Sequence, residues 1–148
     1  MNNKDDLIST LKAFFEGKAK GYSIDMVFLY GSWARGHPVE ESDVDLALFF
    51  LPEPSSDDEL FRVITDISYE LSTKIGREVN AIALYQDFRK PMLYYNAIVL
   101  GIPLYIKEFE RYVNLKNQAI AHMEDFCFFG TGWQLELARK NMEVLQNG

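Results

Sequence analysis

The 148 residues carry 22 acidic and 15 basic side chains, for a formal net charge of −7, and 48% are hydrophobic. These values are typical of one globular domain, and no apolar run approaches the roughly 20 residues of a membrane span. The negative charge argues against nucleic acid as the main partner, because a polyanion repels such a chain unless a local basic patch dominates.

Cysteine content and the N-terminal residues bear on the compartment. The only cysteine, Cys127, excludes an intramolecular disulfide, and the first residues lack a signal-peptide pattern. We therefore expect a cytoplasmic protein. Because Cys127 stands between two phenylalanines, we also expect its side chain to be buried.

Hydrophobic spacing along the chain predicts alternating helices and strands. In chain order, the predicted elements are a helix over 4–16, a strand over 24–30, a turn and short helix over 31–36, a strand over 44–50, a helix after a capping box formed by Ser56 and Glu59, a strand over about 79–84, a helix over about 89–100, a short extended segment over 103–105, and helices over about 107–126 and 132–146. Gly130 and Gly132 mark the predicted break between the last two helices. This order predicts an α/β (α+β) fold with a small mixed sheet flanked by helices.

The most informative motif joins the first two predicted strands. Gly31 and Ser32 directly follow the first strand, and Asp43 and Asp45 stand at the start of the second. Glycine adopts positive φ readily and has no side chain to block a ligand. Ser32 stands where a helix begins, so its hydroxyl and the free backbone N–H groups can face a phosphate.

The spacing of the two aspartates predicts a metal site. Side chains alternate along a strand, so Asp43 and Asp45 point to the same face, with Cα atoms roughly 6.5 Å apart. Two carboxylates so placed repel each other unless a cation lies between them. Mg²⁺ suits them because it prefers oxygen ligands and keeps positions for water and substrate phosphates.

Other residues near the motif leave alternatives open. Arg35 lies one helical turn after Ser32 and could reach a triphosphate, but a surface charge near the 40–41 loop explains it equally well. For Trp33 we expect packing rather than stacking on a ligand. The C-terminal third is rich in aromatic residues, which we expect mostly in the core; several exposed together would instead form a protein-binding face. These residues are Tyr94, Tyr95, Phe109, Tyr112, Phe126, Phe128, Phe129 and Trp133.

The segments G-S-W-A-R-G and S-D-V-D-L resemble the signature of the DNA polymerase beta-type nucleotidyltransferase superfamily, and more closely its minimal nucleotidyltransferase (MNT) proteins. The later segments G-R-E-V-N-A-I-A-L-Y-Q and P-M-L-Y-Y-N-A-I-V-L-G-I-P-L-Y extend the resemblance over most of the chain. It implies one domain over 1–148, with a core over about 1–106 and a helical extension over about 107–148. It also implies Mg²⁺-dependent transfer of a nucleoside monophosphate from a triphosphate such as ATP. Asp43 and Asp45 would be the catalytic metal ligands, and Gly31, Ser32 and Arg35 would bind the nucleotide. Many small members are antitoxins paired with HEPN-type toxins, some of which they adenylylate on tyrosine.

One position departs from the family pattern. The third strand of the family usually carries a third carboxylate, but here Asn80 stands at that position. An amide can offer a carbonyl oxygen to a metal, yet it has no negative charge and cannot accept a proton at neutral pH. Alternation also places Glu78 on the face of Asn80, so Glu78 is a candidate substitute.

Three functions follow as competing hypotheses. The first is a protein adenylyltransferase that acts as the antitoxin of a HEPN/MNT pair. The second is a degenerate binding module that neutralises a partner by contact, which Asn80 favours. The third is a small-molecule transferase of the aminoglycoside-modifying type, for which the acidic charge suits a cationic substrate. The sequence leaves open whether the protein forms a homo- or hetero-oligomer.

Overall fold

Four strands form one mixed sheet in the computed structural model. The structure describes residues 4–35, 43–85 and 87–147. Within 131–147 it describes only the side chains of residues 136, 138–140 and 142. The strands are β1 (Ile24–Tyr30), β2 (Val44–Phe50), β3 (Val79–Ala83) and β4 (Ile102–Ile106), in the order β3-β2-β1-β4. β2 and β3 are parallel, and the other pairs are antiparallel. The predicted fold class is confirmed, and the strands predicted over 24–30 and 44–50 have the predicted bounds.

The helices cover both faces of this sheet. They are α1 (Lys4–Lys18), α2 (Ser32–Arg35), α3 (Asp57–Ile75), α4 (Pro91–Tyr94), which continues as a π-helical turn (Tyr95–Val99), and α5 (Phe109–Asn147), with a 3₁₀ turn (Lys20–Tyr22) before β1. Alternation along β2 separates two cores. Val44, Leu46 and Leu48 pack with α1 and α3. Ala47 and Phe49 face the π-helical turn and α5. The side chain of Asp45 lies on the same face of β2 as those of Ala47 and Phe49.

The start of α3 follows its sequence signal with one difference. The Ser56 hydroxyl accepts the Glu59 N–H at 3.1 Å, as a capping box requires. The Glu59 carboxylate accepts instead from the backbone N–H and hydroxyl of Ser55, one residue earlier. These hydrogen bonds hold the pKa of Glu59 below its ordinary value.

Two helix predictions are corrected. The segment predicted as one helix over 89–100 forms only the short α4 and the π-helical turn. The predicted break at Gly130 and Gly132 is wrong, since α5 runs through both as one helix of 39 residues, about 58 Å long. A glycine inside a helix costs only about 1 kcal/mol relative to alanine, so two glycines weaken the helix without ending it.

The C-terminal part of α5 has no covering layer among the described residues. Leu115 and Ala119 are buried against the sheet, but every described side chain from 124 onward is exposed. The expectation of a mostly buried aromatic set is therefore wrong for Phe109, Phe126, Phe128 and Phe129, all exposed, while Tyr94 is buried and the side chain of Trp133 lies outside the described set. Cys127 is exposed too, contrary to expectation. No helix in the described ranges is long and apolar enough to cross a membrane.

Asp25 and Arg111 form an ion pair at the end of the sheet where β1 begins. Asp25 is only 5% exposed, and its carboxylate accepts two hydrogen bonds from the Arg111 guanidinium, the Nε–H bond at 3.0 Å. Arg111, on the first turns of α5, also pairs with Glu108. These acidic neighbours raise the pKa of Arg111, chiefly through the hydrogen bonds that the guanidinium donates to Asp25. The pair anchors α5 to β1.

Candidate functional site

The turn after β1 brings its backbone against Asp45. Gly31 has a φ of +76°, in the left-handed region that disfavours other residues. A β-carbon at this position would lie 2.4 Å from Asp45 Oδ2. Both the conformation and the space therefore require glycine at this position.

Three strands place polar side chains side by side at this end of the sheet. In the register of the strands, Asp45 on β2 lies opposite Tyr30 on β1 and Asn80 on β3. Asp43 immediately precedes β2 and is exposed, whereas Asp45 is half-buried. Sequence reasoning missed Tyr30 as a site neighbour, because its place depends on how β1 and β2 pair.

Asn80 faces the two aspartates. Its Nδ2 donates a hydrogen bond to Asp43 Oδ2 at 3.1 Å. Glu78 is exposed just before β3, and its backbone oxygen accepts the Val44 N–H. No group of three or more His, Cys, Asp or Glu side chains suited to a metal occurs in the described ranges. The predicted substitution by Glu78 thus gains no support, and the amide occupies the third position.

Burial and neighbouring negative charge raise two pKa values at this end of the sheet. Burial raises the pKa of Asp45, the nearby Asp43 raises it further, and the hydrogen bond from Asn80 partly lowers it. Burial and then Asp45 raise the pKa of Tyr30. Within the described chain no basic side chain forms an ion pair with Asp43 or Asp45, so a bound cation would relieve both effects.

The other predicted residues lie around the turn. Ser32 begins α2 and is half-buried, and the Arg35 N–H donates to the Gly31 oxygen at 3.1 Å. The Arg35 side chain is exposed, so it is available to a ligand but not held at the site. Trp33 is buried, as expected, with the Arg77 guanidinium 4.9 Å from its ring centre.

A match to a family model identifies the class of the protein. A sequence model described as polymerase beta, nucleotidyltransferase matches residues 10–110, which is more than half of the chain. The chain therefore belongs to the polymerase beta nucleotidyltransferase family. A comparison with curated proteins gives no match.

Comparison with solved structures agrees on the fold. A toxin–antitoxin structure with AMP-PNP matches with a TM-score of 0.65 at 12% identity, over 85% of this chain and 97% of that one. A tri-AMPylated Shewanella oneidensis HEPN toxin in complex with MNT antitoxin matches with a TM-score of 0.62 at 10% identity, over 88% and 98%. A MntA-HepT toxin–antitoxin structure matches with a TM-score of 0.61 at 11% identity, over 87% and 97%. At these identities the likeness establishes the fold.

Proposed function

We propose that this protein transfers AMP from ATP to a hydroxyl of a protein partner, with Mg²⁺, and that it is the antitoxin of a HEPN-type toxin. The observation that carries the proposal is the pair Asp43 and Asp45 beside the Gly31 turn, in a chain of the nucleotidyltransferase family. The antitoxin role draws support from the toxin–antitoxin complexes that share the fold, and the exposed aromatic residues of α5 suit a protein partner.

The site residues fit a magnesium ion. Asp43 and Asp45 offer oxygen ligands on one face, and the pKa of Asp45 is raised chiefly by burial, with a further contribution from the negative charge of Asp43. When bound, Mg²⁺ supplies positive charge that offsets the triphosphate and the developing pyrophosphate. Asp43 and Asp45 would hold the ion, while the missing β-carbon of Gly31 lets phosphates approach the backbone. Ser32 and Arg35 would contact the phosphates from α2.

The reaction is a displacement at the α-phosphorus. The hydroxyl oxygen of the acceptor forms the new bond, the bond from the α-phosphorus to the bridging oxygen breaks, and pyrophosphate leaves. The hydroxyl proton passes to water, since the Asn80 amide cannot accept it. Loss of a general base lowers rates by about 10²–10⁴-fold, so we expect slow transfer.

Asn80 also supports a second candidate function, a binding module without transfer. Its amide donates to Asp43 and so satisfies the carboxylate pair in part without any bound cation. Such a protein would neutralise its partner by contact and keep a nucleotide only as a structural ligand.

Label transfer from α-labelled ATP, with Mg²⁺ and a lysate of the source cell, tests both candidates. We expect the wild type to label a discrete protein band, Asp43→Asn/Asp45→Asn to label none, and Asn80→Asp to label it about 10²–10⁴-fold faster. Glu78→Gln is the matched control and should behave as wild type.

The outcomes separate the two candidates. Labelling by Asn80→Asp alone would identify the natural protein as a binding module on an intact site. If no variant labels any band, a binding assay for ATP with Mg²⁺ decides: binding by the wild type, lost in Asp43→Asn/Asp45→Asn, favours the module. Absence of that binding would overturn the transferase and the nucleotide-retaining form of the module.

A further inference from the structure

The edge strand β3 carries backbone groups that no described part of the chain uses. The parallel register pairs Val44 with Val79. Two hydrogen bonds show which β3 residues bond to β2: the Val44 N–H donates to the Glu78 oxygen, and the Leu84 N–H donates to the Leu48 oxygen. Even-numbered residues of β3 therefore bond to β2, and the N–H and C=O groups of odd-numbered residues point away from the sheet.

The outward groups are nearly all unpaired. The Val79 N–H donates to the Ser72 hydroxyl at 3.2 Å, which confirms that it points away from β2. Within the described ranges, the N–H and C=O groups of Ala81 and Ala83 have no hydrogen-bond partner. The side chains of both alanines are small and pack toward the α3 side of the sheet, away from the line of these backbone groups.

The opposite edge of the sheet is protected. β4 contains Pro103, which has no N–H to offer, and α1 packs against this strand. β3, with the sequence V-N-A-I-A, has no proline, lysine or bulge of the kind that natural proteins use to block an edge. This edge, unpaired as far as the described residues go, is also the one beside Asp43 and Asp45.

The geometry connects this edge to the site. The side chains of Asn80 and Ile82 lie on the face of β3 that Asp45 occupies on β2. A residue opposite Asn80 in an added strand would stand two strand spacings, about 10 Å, from the Asp45 backbone. A side chain at that position projects from the same face of the sheet as Asn80 and Asp45, and tyrosine carries its hydroxyl farther from its own backbone than serine does.

We propose that an extended segment of the acceptor protein adds to the sheet alongside β3 and presents a tyrosine to the site. This inference rests on the proposed function, whose acceptor it specifies. Backbone hydrogen bonds to Ala81 and Ala83 give binding, and the residue that faces Asn80 receives the nucleotide.

The test uses a library of capped heptapeptides with a central tyrosine and random flanking residues, added at millimolar concentration to isotope-labelled protein without nucleotide. Because strand addition uses backbone groups, we expect saturable downfield NMR shifts of the Ala81 and Ala83 amide protons. Ala81→Pro, which removes the outward N–H, should weaken binding about 5–10-fold, and the matched control Ala81→Ser should not.

A second measurement leaves the protein unchanged. The same library with methylated backbone nitrogens should lose binding, which keeps the test valid if Ala81→Pro fails to fold. Equal binding of the methylated library, shifts confined to other surfaces, or no shifts at all would overturn the inference. Shifts that follow protein concentration instead of peptide would indicate edge pairing of two copies and would overturn it as well.

This experiment is independent of the transfer reaction. Peptide binding at β3 by a protein that transfers no AMP would support the docking edge and remove the proposed activity. Transfer to a protein acceptor at the wild-type rate by folded Ala81→Pro would support the proposed activity and overturn the docking edge.

Discussion

The two ends of the β1–β2 pair each carry a carboxylate, and their surroundings differ. Asp25, at the start of β1, is almost fully buried and bonded twice by Arg111. Asp45, at the start of β2, is half-buried, lies beside Asp43, and within the described residues contacts an amide but no cation. Because β1 and β2 are antiparallel, the two sites lie at opposite ends of the sheet.

The difference separates a structural charge from a candidate functional one. A buried charge with an ion-pair partner and satisfied hydrogen bonds is compensated by the protein itself and needs no ligand. A half-buried carboxylate with a raised pKa, placed beside a second carboxylate and without a basic partner among the described residues, is typical of a functional site. Three substitutions test this contrast, in order of expected effect.

The largest effect is expected from Arg111→Met, which leaves the buried Asp25 carboxylate without its partner. Such a change costs about 3–5 kcal/mol in a protein interior, and we expect the lower end because the Arg111 side chain is 32% exposed. Urea unfolding measures it. Arg139→Met, on the exposed part of the same helix, is the control and should cost less than about 1 kcal/mol. Equal losses in both variants would contradict a structural role for the Asp25 pair.

Gly31→Ala should have an intermediate effect on stability and a strong one on the site. Alanine in the left-handed region costs about 1–2 kcal/mol, and its β-carbon would displace the Asp45 carboxylate. We expect reduced Mg²⁺ and ATP binding by calorimetry, with a lower Tm. Gly17→Ala in α1, where a β-carbon meets nothing within 4 Å, is the control and should raise Tm slightly. Normal ligand binding by folded Gly31→Ala would show that Asp45 need not stay in place.

The smallest effect is expected from Asp45→Asn in the absence of metal. Because the pKa of Asp45 is raised in the folded state, that state binds the proton more tightly than the unfolded chain does. Ionised Asp45 therefore lowers the free energy of unfolding at neutral pH. This destabilisation disappears as the pH falls through the raised pKa toward the ordinary value of 3.8.

Thermal unfolding of wild type and Asp45→Asn between pH 7 and pH 4 measures this destabilisation. At pH 7 the variant should melt up to about 3 °C above wild type, since a partly solvated group contributes less than about 1 kcal/mol. The gap should close toward pH 4, and only the wild type should gain stability from Mg²⁺. Asp66→Asn, an exposed site on α3 with the same charge change, should show neither effect. A variant less stable than wild type at pH 7 would mean that Asp45 is already stabilised without a ligand.

Short-range patterns in the sequence determined much of this protein. The apolar runs of β1 and β2, the glycine after β1 and the Asp-x-Asp spacing follow from local conformational preferences and side-chain alternation, so they predicted the strands, the turn and the shared face of Asp43 and Asp45. The uninterrupted α5 was not predicted, because a glycine pair weakens a helix by an amount that its flanking turns can offset.

Only the tertiary structure decided which strands are neighbours. A one-residue slip of β3 would turn Asn80 away from Asp43, and the sequence does not specify that register. The partnership of Asp25 with Arg111 spans 86 positions, and the unused backbone groups of Ala81 and Ala83 depend on β3 lying at the sheet edge. These features arise from contacts between distant segments, which burial and hydrogen bonding select only once the whole chain has folded.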